Sequence, residues 1–444
     1  MPDSYKDRSP GGVTAAFRRK PLIAIAAGVA FFFSVYFWVS PRIGFVGYGR
    51  DCFYLQDYAY HIILTSHFWS QGFGNIYDLG FQLQAISAYM EKPAMAAMPV
   101  AVTPIALIVW MPFAYIARFS LSASYSLWVA VSAGILILAL LKISAPLYPF
   151  PPHRRLPLVL CGITVFSLVG VSAVIVGQTS LYAGGILSLL IYRMTRLREK
   201  PEKTATDWLS VLLIVAAGLK PPYLIIGFGV LWIYGQWREL CCATALIMAL
   251  AAALTPLLTP EWIRSYLRLL QMYSSGDFPD IYAWSIAPRT MNILRSAISG
   301  FTGDRIAAGI STVVSALMIA GIGICSRFRP LTHTAGPPRL TVALIACCLL
   351  FSPNSGAYED ILLIPAFVAV LAEGATPRLS TFRSAVIACA LFLSLFHNVP
   401  GSSHHHLWIF FALKLGVLAS MVYYAGLGRT GKNHFAGRNC FIRS

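Results

Sequence analysis

The sequence predicts an all-α polytopic membrane protein, a single bundle of roughly 10–13 transmembrane or re-entrant helices with two long outer loops. Three observations predict it. Of the 444 residues, 57% are hydrophobic and 11% charged, against roughly 25% charged in an ordinary soluble domain. The apolar residues come in blocks such as 21–39, 121–141 and 240–258, and about 20 apolar residues cross a bilayer as a helix. The basic residues, which carry the formal net charge to +17, sit between these blocks and not along one face. Together these exclude a soluble enzyme, a disordered tail and a secreted disulfide scaffold, and no nucleic acid is expected as a partner.

In chain order, Arg18, Arg19 and Lys20 precede the first block. That block lacks a small-residue cleavage site, so it reads as a retained helix. Apolar segments fall near 21–40, 102–118, 122–142, 157–176, 180–195, 207–219, 222–236, 239–258, 305–325, 339–352, 359–373, 383–397 and 406–426. Basic residues cluster at Arg193–Lys203, at Arg327–Arg339 and from Arg429 to Arg443, and the positive-inside rule places such loops in the cytoplasm. Residues 1–20 and 427–444 are then both cytoplasmic, which demands an even number of crossings. Thirteen segments are present, so at least one does not cross. The suspects lie between 102 and 195, where four simple crossings would leave the Arg193–Lys203 loop outside. Segment 102–118, short and interrupted by Pro104 and Pro112, is the weakest of them. Residues 40–103 form the first outer loop and 259–304 the second, all within one integral membrane domain spanning 1–444. No internal repeat is visible, which weakens a secondary-transporter reading.

The chemistry-bearing residues are few. Nine cysteines show no metal-ligand spacing; most lie in apolar blocks, where a thiol behaves as a small hydrophobe. His404, His405 and His406 are adjacent, so on a helix they point apart and do not by themselves make a zinc site. There is no phosphate-binding loop, dinucleotide fingerprint or serine elbow. Ten of the 17 carboxylates fall in outer loops or at the outer edge, a bias topology does not explain because acids orient helices weakly.

Asp57 follows the first helix among aromatics, in Asp57-Tyr58-Ala59-Tyr60-His61. A helix from about 56 to 71 would set Asp57, Tyr60, His61 and Leu64 on one face. There Asp57 is either a general base with a raised pKa or the N-cap of an interfacial helix. Glu359 and Asp360, before the apolar 361–370, either complement a helix dipole or face a cavity. Lys220 stands at a proline break, Lys220-Pro221-Pro222, where it either holds a phosphate or snorkels to an interface. Gln178, after Gly177, is a polar break that fits structural packing.

These residues are similar to a known pattern. Asp57-Tyr58-Ala59-Tyr60 with Gly72 and Ile76-Tyr77-Asp78 is followed by Thr103-Pro104, Met111-Pro112-Phe113 and Ser126-Leu127-Trp128. Gly177-Gln178, Lys220-Pro221 with Trp237-Arg238, and Ser352-Pro353 with Tyr358-Glu359-Asp360 complete it. Over roughly residues 40–373 the order and spacing resemble glycosyltransferase family 87, the DUF2029 group of GT-C membrane glycosyltransferases. The resemblance implies a GT-C bundle in a bacterial inner membrane. It also implies a polyprenyl-phosphate sugar donor used at the periplasmic face, and a catalytic acid in the first outer loop, at Asp57. Some mannosyltransferase members carry a histidine in the late outer loop; here none lies between Ser352 and Asp360, so that role would fall to Glu359 or Asp360.

The expected reaction moves a sugar, a hexose such as mannose or another sugar, to a lipid or glycan acceptor with inversion. Asp57 would take the proton of the acceptor hydroxyl. Lys220 would hold the leaving phosphate, with Arg289 or Arg295 in reserve, and Tyr58, Tyr60, Trp69 and Tyr77 would stack on sugar or border the lipid. A lysine or arginine can neutralise a phosphate, so neither metal nor cofactor is expected beyond the donor itself; membrane lipids are the remaining partners. The rival readings are a lipid-linked-sugar flippase, a small-solute permease and an inactive scaffold subunit.

Overall fold

The computed structural model describes residues 56–70, 74–90, 100–143, 177–198, 205–275 and 302–328, with single positions at 170, 173, 174, 298, 341, 344, 345, 348, 361 and 362. Among the described residues every regular element is a helix. They are α1 (Gln56–Ser70), α2 (Leu79–Met90), α3 (Pro104–Ala117), α4 (Leu121–Ile143), α5 (Ser180–Arg198), α6 (Trp208–Ala217), α7 (Pro221–Ile233), α8 (Trp237–Leu258), α9 (Trp262–Ser275) and α10 (Asp304–Phe328).

Local chemistry sets the boundaries. The Ser120 hydroxyl accepts the Ala123 N–H at 3.2 Å and so opens α4, as an N-cap side chain does. Pro104 and Pro221 begin α3 and α7, where the N–H that proline lacks would have no partner in any case. Gly235, at φ +70, ends α7: its N–H reaches the Trp232 carbonyl and the Gln236 N–H the Leu231 carbonyl. This pair of bonds is a Schellman cap, which needs the left-handed residue that glycine supplies.

α4 and α8 are long and apolar enough to cross a membrane. Segments 180–195 and 305–325 are helical as expected, in α5 and α10; 21–40, 383–397, 406–426 and most of 157–176, 339–352 and 359–373 lie outside the described residues. Two segments differ from the expected crossings. Segments 207–219 and 222–236 become α6, of 10 residues, and α7, of 13. At 1.5 Å per residue these reach only about 15 and 20 Å. Gly218, Pro221 and Pro222 interrupt the helical hydrogen-bond ladder between them and account for the shortening.

Packing assigns the helices to two ends of the bundle. α4 and α5 run parallel, with Trp128 against Tyr182 near one end and Lys142 over the Tyr192 ring near the other. Both ends of α3 belong to the first of these. Thr103 donates its N–H to the Leu219 carbonyl at 3.1 Å, while the Phe113 carbonyl accepts from Ser124, at the start of α4. α3 therefore lies across one end of the bundle and does not run through it, the behaviour suspected of segment 102–118. The two stretches expected as outer loops also carry helices: α1 and α2 in 40–103, α9 in 259–304.

Candidate functional site

The helix expected near 56–71 is α1, and Asp57 sits in its first turn, one residue inside the helix and not at the N-cap. Tyr58, next in the chain, is fully buried. Its ring lies edge-on to Trp110 and Tyr125, with centroids 5.5 and 5.0 Å away. Its hydroxyl donates to Ser124, 2.6 Å away, because the serine hydrogen is committed to the Phe113 carbonyl.

Tyr58 also meets the second polar break. Gly177 adopts φ +76, and a Cβ built there would stand 2.4 Å from the Cβ of Tyr58. Only glycine permits both that backbone conformation and that approach. The close contact sets Gln178 beside the start of α1, and the buried Gln178 accepts a hydrogen bond from Lys220 Nζ at 3.1 Å. Lys220 is held in extended conformation at the N-cap of α7. The preceding turn is fixed from α3, because the Thr103 hydroxyl donates to the Gly218 carbonyl. Asp57, Gln178 and Lys220, more than 100 residues apart in sequence at the extremes, thus converge at the end of the bundle that α3 covers.

Electrostatics couple them. Loss of water around the half-buried Asp57 pushes its carboxyl up to about 6, and the positive charge of Lys220 limits the rise. One turn on, His61 is buried and stacked on Trp110, with centroids 5.2 Å apart. Burial first, and then the Lys220 charge, depress its imidazole to about 3. His61 is therefore neutral at ordinary pH, and its Nδ1 has no hydrogen-bond partner among the described residues. The group comprises a carboxylate poised near neutrality, a neutral imidazole and an ammonium. It can accept a proton, hold a hydroxyl and neutralise a phosphate within one small region.

The remaining expected residues fare differently. Tyr60 and Tyr77 are buried; Tyr77 packs on Trp262 and Tyr266, outside the Asp57 group. Burial raises the Tyr77 phenol well above its usual value, with help from the Tyr266 phenol. Trp69 donates its indole N–H to the Leu107 carbonyl at 3.2 Å, tying α1 to α3. Asp78 accepts the Phe81 N–H at 2.9 Å and caps α2. Arg289, Arg295, Tyr358, Glu359 and Asp360 lie outside the described residues. Ile361 and Leu362, which follow that late acidic pair, are buried over Gly184, within two turns of Gln178 along α5. Sequence reasoning quoted Thr103 without giving it a role and did not single out Trp110: Thr103 anchors the Lys220 turn and Trp110 forms the wall behind His61. The Thr-Pro pair at a helix start was the available signal for the first.

No curated protein matches the chain. Residues 103–353, which include Gln178 and Lys220 and begin after Asp57, match glycosyltransferase family 87. That stretch is more than half of the chain, so the protein belongs to glycosyltransferase family 87 and is a glycosyltransferase that uses a sugar donor and an acceptor.

Proposed function

We propose that the protein transfers a sugar from a polyprenyl-phosphate donor to a cell-envelope lipid or glycan on the periplasmic face of a bacterial inner membrane. The observation that carries the reading is the convergence of Asp57, Gln178 and Lys220 at one end of the bundle. Asp57 removes the proton of an acceptor hydroxyl as that oxygen attacks the anomeric carbon. The bond from that carbon to the phosphate oxygen breaks, its electron pair leaves with the phosphate, and the anomeric centre inverts. Lys220 stabilises the departing charge. His61 offers the hydroxyl a second polar contact; Tyr58 and Tyr60 hold α1 in place, and Gln178 orients Lys220. Arg289, Arg295, Tyr358, Glu359 and Asp360 are proposed to contact substrate from the later outer segments, and Tyr77 to support them. No metal or cofactor other than the donor substrate is invoked.

A GT-C bundle crossing the membrane many times, with both termini cytoplasmic, suits this chemistry. α8 is apolar beyond its first turn and mostly uncovered by protein, with Met248 64% exposed, as a lipid-facing helix would be. From Asp207 to Gly218 the chain climbs only about 16 Å of a hydrocarbon core of roughly 30 Å. With Asp207 at the cytoplasmic surface, as proposed, such a rise would leave Lys220 below the outer surface, where a membrane-held phosphate could reach it.

The deciding assay supplies purified protein with a panel of radiolabelled polyprenyl-phosphate sugars and a lipid and glycan extract from its own cells. Wild type should move label into a new product, and Asp57→Asn should not. An active Asp57→Asn variant would remove the base from the mechanism. Donor bound but never consumed by either protein would favour a flippase.

A further inference from the structure

A cavity opens away from the Asp57 group, between the stretch from Asn75 to Phe81 and one face of α9. It has a volume of about 1180 Å³. Drug-sized ligands occupy roughly 300–1,000 Å³, so there is room for something longer than a monosaccharide. The Asn75 amide donates to the Ser265 hydroxyl at 2.8 Å and ties the two walls together. On one wall, Arg264 and Arg268 stand one helical turn apart and are exposed; facing the same space are the carboxylates of Asp78 and Glu261 and the ring of Phe81. The ion pair between Arg193 and Asp207 uses none of these charges.

Two cations and two anions in one cleft give no net preference for an anion such as a phosphate or a lipid headgroup. They do offer donors and acceptors to a neutral ligand rich in hydroxyls, and the Phe81 ring gives a face on which a pyranose can stack. Position points the same way. Phe81 lies 4.9 Å from His67, ten residues and therefore about 15 Å along α1 from Asp57. A chain of several sugars with its reactive end at Asp57 would reach this cleft.

We infer that the cleft between residues 75–81 and α9 binds the distal sugars of an oligosaccharide acceptor, holding it while its terminal hydroxyl reacts. This rests on the transferase reading of Asp57, so the test separates the two. Binding is measured calorimetrically on full-length Asp57→Asn protein in nanodiscs, with manno- and gluco-oligosaccharide ladders from disaccharide to octasaccharide. Affinity should rise with length in one ladder, and Arg268→Gln or Glu261→Gln should weaken the longer members about tenfold, while disaccharide binding stays unchanged. Retention of Tm by either variant excludes unfolding. Length-independent binding, equal binding by the variants, or variants that lose only adsorption to phosphatidylglycerol vesicles would overturn the inference. Failure of wild-type transfer with length-dependent binding intact would sink the catalytic reading and leave the cleft.

Discussion

Asp57 carries opposed demands that its pKa reconciles. The first turn of a helix and the nearby Lys220 favour its charged form, and loss of water disfavours it more. A value of about 6 leaves it mostly ionised at pH 7 yet a stronger base than a free aspartate. The acid limb of kcat/KM should therefore fall near pH 6. Lys220→Met removes the charge that holds the value down, so that limb should move to higher pH while donor KM rises; an unmoved limb would show that another group sets it. The same shift bears on stability. Because the folded pKa exceeds the unfolded 3.8, the cost to folding is complete above about pH 6 and vanishes only below the unfolded value, by about pH 3. Asp57→Asn should then raise stability by about 3 kcal/mol at pH 8, and thermal melts at pH 8 and pH 3 should show the gain disappear at the lower value.

At the scale of elements, two turns matter most. Gly177 seats Gln178 against α1 through a left-handed backbone and a contact that a side chain cannot share. Gly177→Ala should cost more than about 1 kcal/mol from the backbone alone. It should also reduce transfer at permissive temperature, read as a fall in both Tm and kcat. Thr259 is the opposite case: at φ 72 and ψ 153 it ends α8 in a region that suits glycine, and its hydroxyl is buried without a partner among the described residues. Strain of this kind is worth about 1–3 kcal/mol. Thr259→Gly should raise Tm, and a lower Tm would mean that the strain is absent.

For the whole molecule, the two ends of α5 organise the fold. At one end are Gln178 and Lys220. At the other, Arg193 pairs bidentately with Asp207 at 2.8 and 2.9 Å, and Asp207 donates its N–H to the buried Glu239, so α5, α6 and α8 are clasped together. The ends are about 20 Å apart along the helix. In a cysteine-free background in intact spheroplasts, a cysteine at exposed Glu261 should react with a membrane-impermeant maleimide. One at exposed Arg196 should react only after lysis. Labelling of both from outside would end the proposed orientation.

The helical class, the segment boundaries near 121–143 and 237–258, and the residue types of the site were legible from the linear pattern. Apolar length and cap residues act within a few positions of themselves, so the sequence displays them directly. Asp57, Gln178 and Lys220 could likewise be singled out one by one, because a polar group beside an apolar run is conspicuous. What only the tertiary structure decided was their meeting, which depends on Gly177 touching Tyr58 and Thr103 reaching Gly218 across 115 positions. The orientation of α3 and the cleft beneath α9 were equally illegible. Each arises where one helix face meets another, and such pairings leave no periodic trace in either strand of sequence.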